Sequence, residues 1–253
     1  MSGHSKWAGI KHKKAATDAK RGKLFSRIIR ELTLIAKQGG GDPGKNPKLR
    51  AIIDKAHMAN MPKDNIQKAI MRGTGELPGV NYDDFSYEGY GPGGVAIIAE
   101  GSTDNKNRAA SEIRRIFSTY NGNMGESGCV SWMFKQRGCI TVPKKEISEE
   151  ELMELVIGAG AEDLRSDDEE NYEIITTPKD FEQVKKVLDE KSLAVLQSEV
   201  TMVPQTYVHL EGKQAEQMLN LMSALDEHED VQNVYANFDI DSDVVESIMN
   251  KGE

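Results

Sequence analysis

The sequence predicts an α+β protein: an N-terminal three-helix module followed by two α/β domains, at least one of them ferredoxin-like. Three observations carry this reading. Through residue 75, apolar positions recur at helical spacing between Gly and Pro punctuation. Beyond residue 80, short apolar runs of strand character alternate with helical segments. Between 138 and 204 the elements fall in the order βαββαβ, that of a ferredoxin-like unit. A chain of 253 residues is long enough for two or three compact units.

Residues 1–16 hold Lys6, Lys11, Lys13 and Lys14 with little apolar content and read as a basic arm. A helix is expected to start near Thr17-Asp18, where a polar cap and an early acid suit a helix N-terminus, and to stop at Gly39-Gly40-Gly41. Leu24, Phe25, Ile28, Ile29, Leu32, Ile35 and Ala36 fill one face of it. Lys20, Lys23, Arg27 and Arg30 cluster on roughly the opposite face; Arg21 lies off that stripe and Leu34 falls on it. Asn46-Pro47 opens a second helix, with Asn as cap and Pro at the first helical position. Asn60-Met61-Pro62 breaks it, and Ile66, Ala69 and Ile70 mark a third helix ending at Gly73. Thr74–Val80 reads as the linker.

In the body, Phe85–Tyr90 and Val95–Glu100 read as strands joined by Gly91-Pro92-Gly93-Gly94, and Asp104–Tyr120 as a helix. A strand is expected at Val130–Phe134. Then follow strand Ile140–Val142, helix Glu149–Gly158, strands Glu162–Ser166 and Tyr172–Thr176, helix Lys179–Glu190 and strand Ala194–Val203. The chain closes with strand Thr206–Leu210, helix Lys213–His228 and strand Val231–Phe238, which read as the other half of the unit begun at Phe85. The expected division is therefore a basic helical domain (1–75), a discontinuous α+β domain (80–137 with 205–240) and an inserted ferredoxin-like domain (138–204).

Charge is segregated along the chain. Residues 1–75 hold 17 Lys and Arg against 5 Asp and Glu, a net of +12, whereas 76–253 carry a net of −21. A basic module on an acidic body points to a polyanion for the first and to repulsion of that polyanion by the second. No stretch approaches the ~18 apolar residues of a membrane helix, so no membrane role is expected. Met1–Arg30 lacks the apolar run of a signal peptide, and two cysteines, Cys129 and Cys139, are too few for a disulfide framework. The expected location is the cytoplasm.

Catalytic and cofactor motifs are missing. A phosphate-binding glycine loop leads from a strand into a helix, whose N-terminal amides face the phosphates. Gly89–Gly94 instead leads into the strand-like run Val95–Ala99. No His pairs with another His or a Cys at metal-ligand spacing, so neither a metal nor a cofactor is expected. What remains is the basic arm and first helix, with nine Lys and Arg against the single acid Asp18 within residues 1–30. The candidate nucleic-acid-binding residues are Lys6, Trp7, Lys11, His12, Lys13, Lys14, Lys20, Arg21, Lys23, Arg27 and Arg30. The cations neutralise phosphate and release condensed counterions; Trp7 and His12 supply surfaces that stack on bases or ribose. No recognition helix or finger spacing indicates a base-reading code.

These residues also carry a resemblance. Gly3-His4-Ser5-Lys6-Trp7, Ile10–Ala16 and Asp18–Lys23 resemble the opening of the YebC/PmpR family, which includes the mitochondrial translational activator of cytochrome oxidase subunit I. The similarity continues through Gly40–Pro43, Asn46–Arg50, Asn60–Ile66, Tyr87–Val95, Thr103–Arg108 and Trp132-Met133-Phe134. The chain departs from the family pattern at Gly9, His57 and Cys129, where Asn, Lys and Ser are expected. The resemblance implies three domains around a cleft, no enzymatic activity, and a basic segment made of Lys6, Lys11, Lys13, Lys14, Lys20, Arg21 and Lys23. Residues and resemblance together lead to the expectation of a cytoplasmic nucleic-acid-binding regulator of gene expression. Its target is duplex DNA in transcription or, alternatively, ribosomal or messenger RNA in translation, with a protein partner for the acidic domains. An enzyme using the acidic cleft is the alternative from a different class.

Overall fold

The computed structural model describes residues 18–79, 81–168, 170–241 and 244–245, and the side chains from Gly22 onward. Three helices come first: α1 (Asp18–Gly39), α2 (Pro47–Met58) and α3 (Lys63–Thr74). Their shared core is Ile28, Leu32 and Ala36 of α1 with Leu49, Ile52, Ala56, Met61, Ile66 and Ala69. Asn46 caps α2 as its position before Pro47 predicts: its Oδ1 accepts the Leu49 amide at 3.1 Å. Its Nδ2 also donates to the carbonyls of Ile35 and Gly40, so one buried amide ties the end of α1 to the start of α2. Gly73 lets α3 approach α1 closely, because a β-carbon there would collide with the Thr33 carbonyl and the Ala36 methyl.

The body holds two four-stranded antiparallel sheets. In the first, strands β1 (Asp83–Tyr90), β2 (Ala96–Thr103), β3 (Asn123–Met124) and β9 (Val231–Ala236) are ordered β3-β1-β2-β9. β1 and β2 pair in unbroken register from Asp83↔Thr103 to Tyr90↔Ala96, joined through a 3-10 turn at Pro92–Gly94. The glycine-rich segment therefore connects two antiparallel strands. Helices α4 (Lys106–Thr119) and α7 (Gly212–Glu227) cover one face, with Ala109, Ile113 and Phe117 meeting Met218, Leu221, Met222 and Leu225. On the other face Ala96, Ile98, Val130, Phe134 and Tyr235 form a smaller core. Because β2 is covered on both sides, Ala96–Ala99 is a continuous buried run.

The second sheet has the order β5-β6-β4-β7, from β4 (Phe134–Pro143), β5 (Ala161–Arg165), β6 (Asn171–Thr176) and β7 (Gln197–Pro204). Helices α5 (Glu149–Gly158) and α6 (Phe181–Glu190) pack on one side. Connectivity and order are those of the ferredoxin-like unit. The mixed α+β class therefore holds across the described residues.

Two of the expected strands depart most from the structure, and the short β3 is not among the expected elements. Val130–Phe134 is not a strand: Ser131–Met133 is a 3-10 turn, and β4 runs unbroken from Phe134 through the expected Ile140–Val142. The cause is Glu88, a buried carboxylate on β1 that accepts the amides of Gly128, Val130 and Ser131 at 2.7, 2.8 and 2.8 Å. Those donors are spent on a side chain and cannot join a ladder. The expected strand Thr206–Leu210 shrinks to β8 (Val208–His209), which pairs in parallel with β10 (Phe238–Asp239) outside both larger sheets. Asn237 divides β9 from β10; its Oδ1 takes the Ala96 amide at 2.7 Å and its Nδ2 donates to the Thr206 carbonyl.

Candidate nucleic-acid interface

Lys6, Trp7, Lys11, His12, Lys13 and Lys14 lie outside the described residues. Lys20 and Arg21 fall in the first turn of α1, with side chains likewise outside. The remaining three candidates, Lys23, Arg27 and Arg30, stand at i, i+4 and i+7 and so share one face of α1. That face meets the body. Lys23 is exposed, and its Nζ donates to the Glu227 carbonyl at 3.2 Å. Arg27 donates to the His228 carbonyl at 3.3 Å and stands 3.7 Å from Asp226. Arg30 donates to the Glu229 carbonyl and to Asp230 Oδ1, both at 2.6 Å, and its guanidinium lies over the Tyr82 ring. Leu34, one turn further along, is buried, and Lys37 reaches Asn81. The stripe expected to face a phosphate chain is therefore covered, from Arg27 onward, by the body and the segment that leads to it.

The receiving surface is built by the bulge between β2 and β9. Their register shifts between Glu100 and Gly101, where a β-carbon would collide with the Asp230 carbonyl. Glycine at 101 lets that backbone close in, and the Ser102 amide binds the same carbonyl at 3.0 Å. The Asp230 side chain is left fully buried between Thr103 Oγ1 (3.0 Å), Arg108 Nη2 (2.9 Å) and Arg30. Arg108 also reaches Glu229 at 2.8 Å and Asp104 at 3.0 Å.

The electrostatics are complementary. Carbonyls at the end of α7 carry the negative pole of that helix, and Asp226, Glu229 and Asp230 add full charges. Burial pulls the Arg27 guanidinium below its ordinary value, opposed mainly by Asp226 beside it. Its Nε is buried with no hydrogen-bond partner. Elsewhere on the module Lys48, Lys63, Lys68 and Arg72 are exposed, cations on α2 and α3 absent from the sequence-based candidates. Among the described residues no group of three or more His, Cys, Asp or Glu side chains could hold a metal ion, and no helix is long and apolar enough to cross a membrane.

Residues 5–76 match the family described as "TACO1/YebC protein N-terminal domain", and residues 82–238 match "TACO1/YebC second and third domain". The chain belongs to the TACO1/YebC family. Its boundary between those matches coincides with the segment that joins α3 to β1. A relative from Natranaerobius thermophilus is 56% identical over 250 residues, covering 98% of this chain and all of that protein. One from Geobacter sulfurreducens is 54% identical over 249 residues, with the same coverage. Both are named "Probable transcriptional regulatory protein". Among solved structures, a conserved hypothetical protein of Aquifex aeolicus is similar, with a TM-score of 0.78 and 46% identity, covering 92% of this chain and 96% of that one. Within this TACO1/YebC chain, the Arg30–Asp230 contact thus joins the segments matched as the N-terminal domain and as the second and third domains.

The acids of this contact, Asp226, Glu229 and Asp230, were missed by sequence reasoning because nothing in their spacing marks them. Two signals were nonetheless present. Leu34 interrupts a cationic stripe, which a solvated face does not need, and Arg108 lies within one of the strings that carry the family resemblance.

Proposed function

We propose that the protein is a cytoplasmic nucleic-acid-binding regulator of gene expression, and that its target is DNA. It acts by binding without catalytic turnover. The observation that carries this reading is the segregation of charge, net +12 in residues 1–75 against −21 in the remainder. The phosphate contacts fall to Lys6, Lys11, Lys13, Lys14, Lys20, Arg21 and Lys23, with Trp7 and His12 stacking. Lys48, Lys63 and Lys68 extend the cationic surface. Arg27 and Arg30 stand outside the initial contact set, because in the docked chain their part-buried guanidinium groups are held by the body, whereas Lys23 is exposed. Such cations give affinity without choice of sequence, and the acidic body is left to position the module and to recruit a protein partner. The names of the relatives support transcription as the process.

A second reading, RNA during translation, is favoured by one observation: Trp7 and His12 interleave with the lysines of the arm, and unstacked bases need such surfaces. Crosslinking in cells, with sequencing of both DNA and RNA recovered on the full chain, separates the two. Enrichment of promoter DNA supports the first reading; enrichment of ribosomal or messenger RNA supports the second. Recovery of neither removes both.

A further inference from the structure

We propose that the end of α7 and the turn after it, Asp226–Asp230, act as an intramolecular substitute for phosphate, held on the basic face of α1 until nucleic acid displaces part of it. This inference rests on the proposed nucleic-acid binding. Lys23, Arg27 and Arg30 span about 10 Å of helix. Against them stand the consecutive carbonyls of residues 227, 228 and 229 together with the carboxylates of Asp226, Glu229 and Asp230. A row of anionic and dipolar oxygens facing a cationic helix is what a phosphate backbone would offer, and guanidinium binds carboxylate and phosphate with the same geometry.

The grip is graded along α1. At Arg30 it is tight: 2.6 Å to Asp230, on a fully buried carboxylate. At Arg27 the nearest carboxylate oxygen stands at 3.7 Å, and the buried Nε has no hydrogen-bond partner. At Lys23, the residue nearest the arm, the side chain is exposed and holds a single carbonyl at 3.2 Å. A polyanion captured by the arm and by Lys20 and Arg21 therefore advances along α1 into progressively firmer contact. It displaces the Glu227 carbonyl first and Asp226 next, and can satisfy the Arg27 donor that docking leaves unmet. Arg30 and Asp230 serve as the pivot. Full-length affinity is accordingly lower than the cationic face alone would give.

The test uses the full chain and two fixed probes, a duplex DNA and a single-stranded RNA of matched length. Asp226→Asn/Glu229→Gln removes two of the substitute charges. Glu150→Gln/Glu154→Gln removes two exposed charges on α5 and controls for net charge. The expected result is at least a threefold gain in affinity for the first variant over that control, on whichever probe binds. A second measurement needs no variant: hydrogen exchange in residues 223–231 of the wild type should speed up when the probe is added. Equal or weaker binding of the first variant relative to the control, or unchanged or slower exchange while the probe is bound, overturns the displacement. If the wild type binds and either result occurs, this inference alone falls. If neither wild type nor variant binds either probe, nucleic-acid binding falls with it.

Discussion

Arg30 Nη1 stands 2.6 Å from Asp230 Oδ1, across two hundred residues of chain, and the Asp230 side chain is completely withdrawn from solvent. The same carboxylate takes Arg108 and the Thr103 hydroxyl on its other oxygen. Removing the acid leaves the part-buried Arg30 with the Glu229 carbonyl and a carboxylate 3.8 Å away, whereas Arg108 keeps Asp104 and Glu229. Loss of one partner from a buried ion pair costs about 3–5 kcal/mol. Asp230→Ala should fall near the lower end of that range, because Arg108 is only partly buried. Urea unfolding of the full chain measures it. A loss below ~1 kcal/mol, the scale of an exposed pair, would mean that the contact does not hold the module to the body.

How much of this contact could be read beforehand depends on what each residue signals locally. The α1 core was legible because Ile28, Leu32 and Ala36 repeat at helical spacing, and the α2 start because Asn before Pro is a local capping signal. The ferredoxin-like unit was legible from element order alone. The two misread strands turn on single polar side chains, Glu88 and Asn237, that take backbone partners from far along the chain. No periodicity announces such a capture. The same holds for Arg27 and Arg30: a helix wheel separates an apolar from a cationic face, but it does not say whether the cationic face meets water, phosphate or the acids of another domain.

Glu88 gives a pH dependence with a definite sign. Burial penalises its charge, but the amides of Gly128, Val130 and Ser131 outweigh that and hold the carboxyl below the usual carboxylate range. A depressed folded value means that its stabilisation is fully present above the unfolded value of about 4.3. It is lost as pH falls through the lower folded value. Glu88→Gln should therefore cost about 1–3 kcal/mol at neutral pH, the penalty for leaving buried donors poorly met. The difference between variant and wild type should narrow below pH ~4. Urea midpoints measured from neutral pH downward decide it; a difference that stays constant would rule out the ionised cradle as the source.

Gly73 sets two magnitudes against each other. Alanine is favoured over glycine inside a helix by about 1 kcal/mol. At Gly73, however, its methyl would meet the Thr33 carbonyl and the Ala36 side chain, and overpacking of this kind costs about 1–3 kcal/mol. Backbone cannot swing aside as a side-chain end can, so the steric term should win and Gly73→Ala should destabilise. Gly22→Ala is the matched control, since nothing lies within 4 Å of its added carbon, and it should stabilise by up to about 1 kcal/mol. Thermal unfolding of both variants reads the two signs. Stabilisation by both would show that α1 and α3 can separate freely.

The lysines of the arm and the start of α1 should fail in a different way from Arg30, whose side chain the body holds. If nucleic acid is gripped through ~5–8 phosphates, log affinity should fall against log salt with a slope of about −0.9 per phosphate. Changing Lys11, Lys13, Lys14, Lys20 and Lys23 together to Ala should flatten that slope by about 4–5 and remove most binding at 150 mM salt. The fold should survive, because the α1 core consists of Ile28, Leu32 and Ala36, on the other side of the helix. Arg30→Met should behave in the opposite way. It removes one of the two cations on buried Asp230, which keeps Arg108 and the Thr103 hydroxyl, so it should lower stability by about 1–3 kcal/mol while leaving the salt slope within one phosphate of the wild type. Salt titrations of binding and urea unfolding on the same two proteins give both axes. A five-lysine variant with an unchanged slope would place the nucleic-acid surface elsewhere, with the exposed Lys48, Lys63 and Lys68 as the first residues to change.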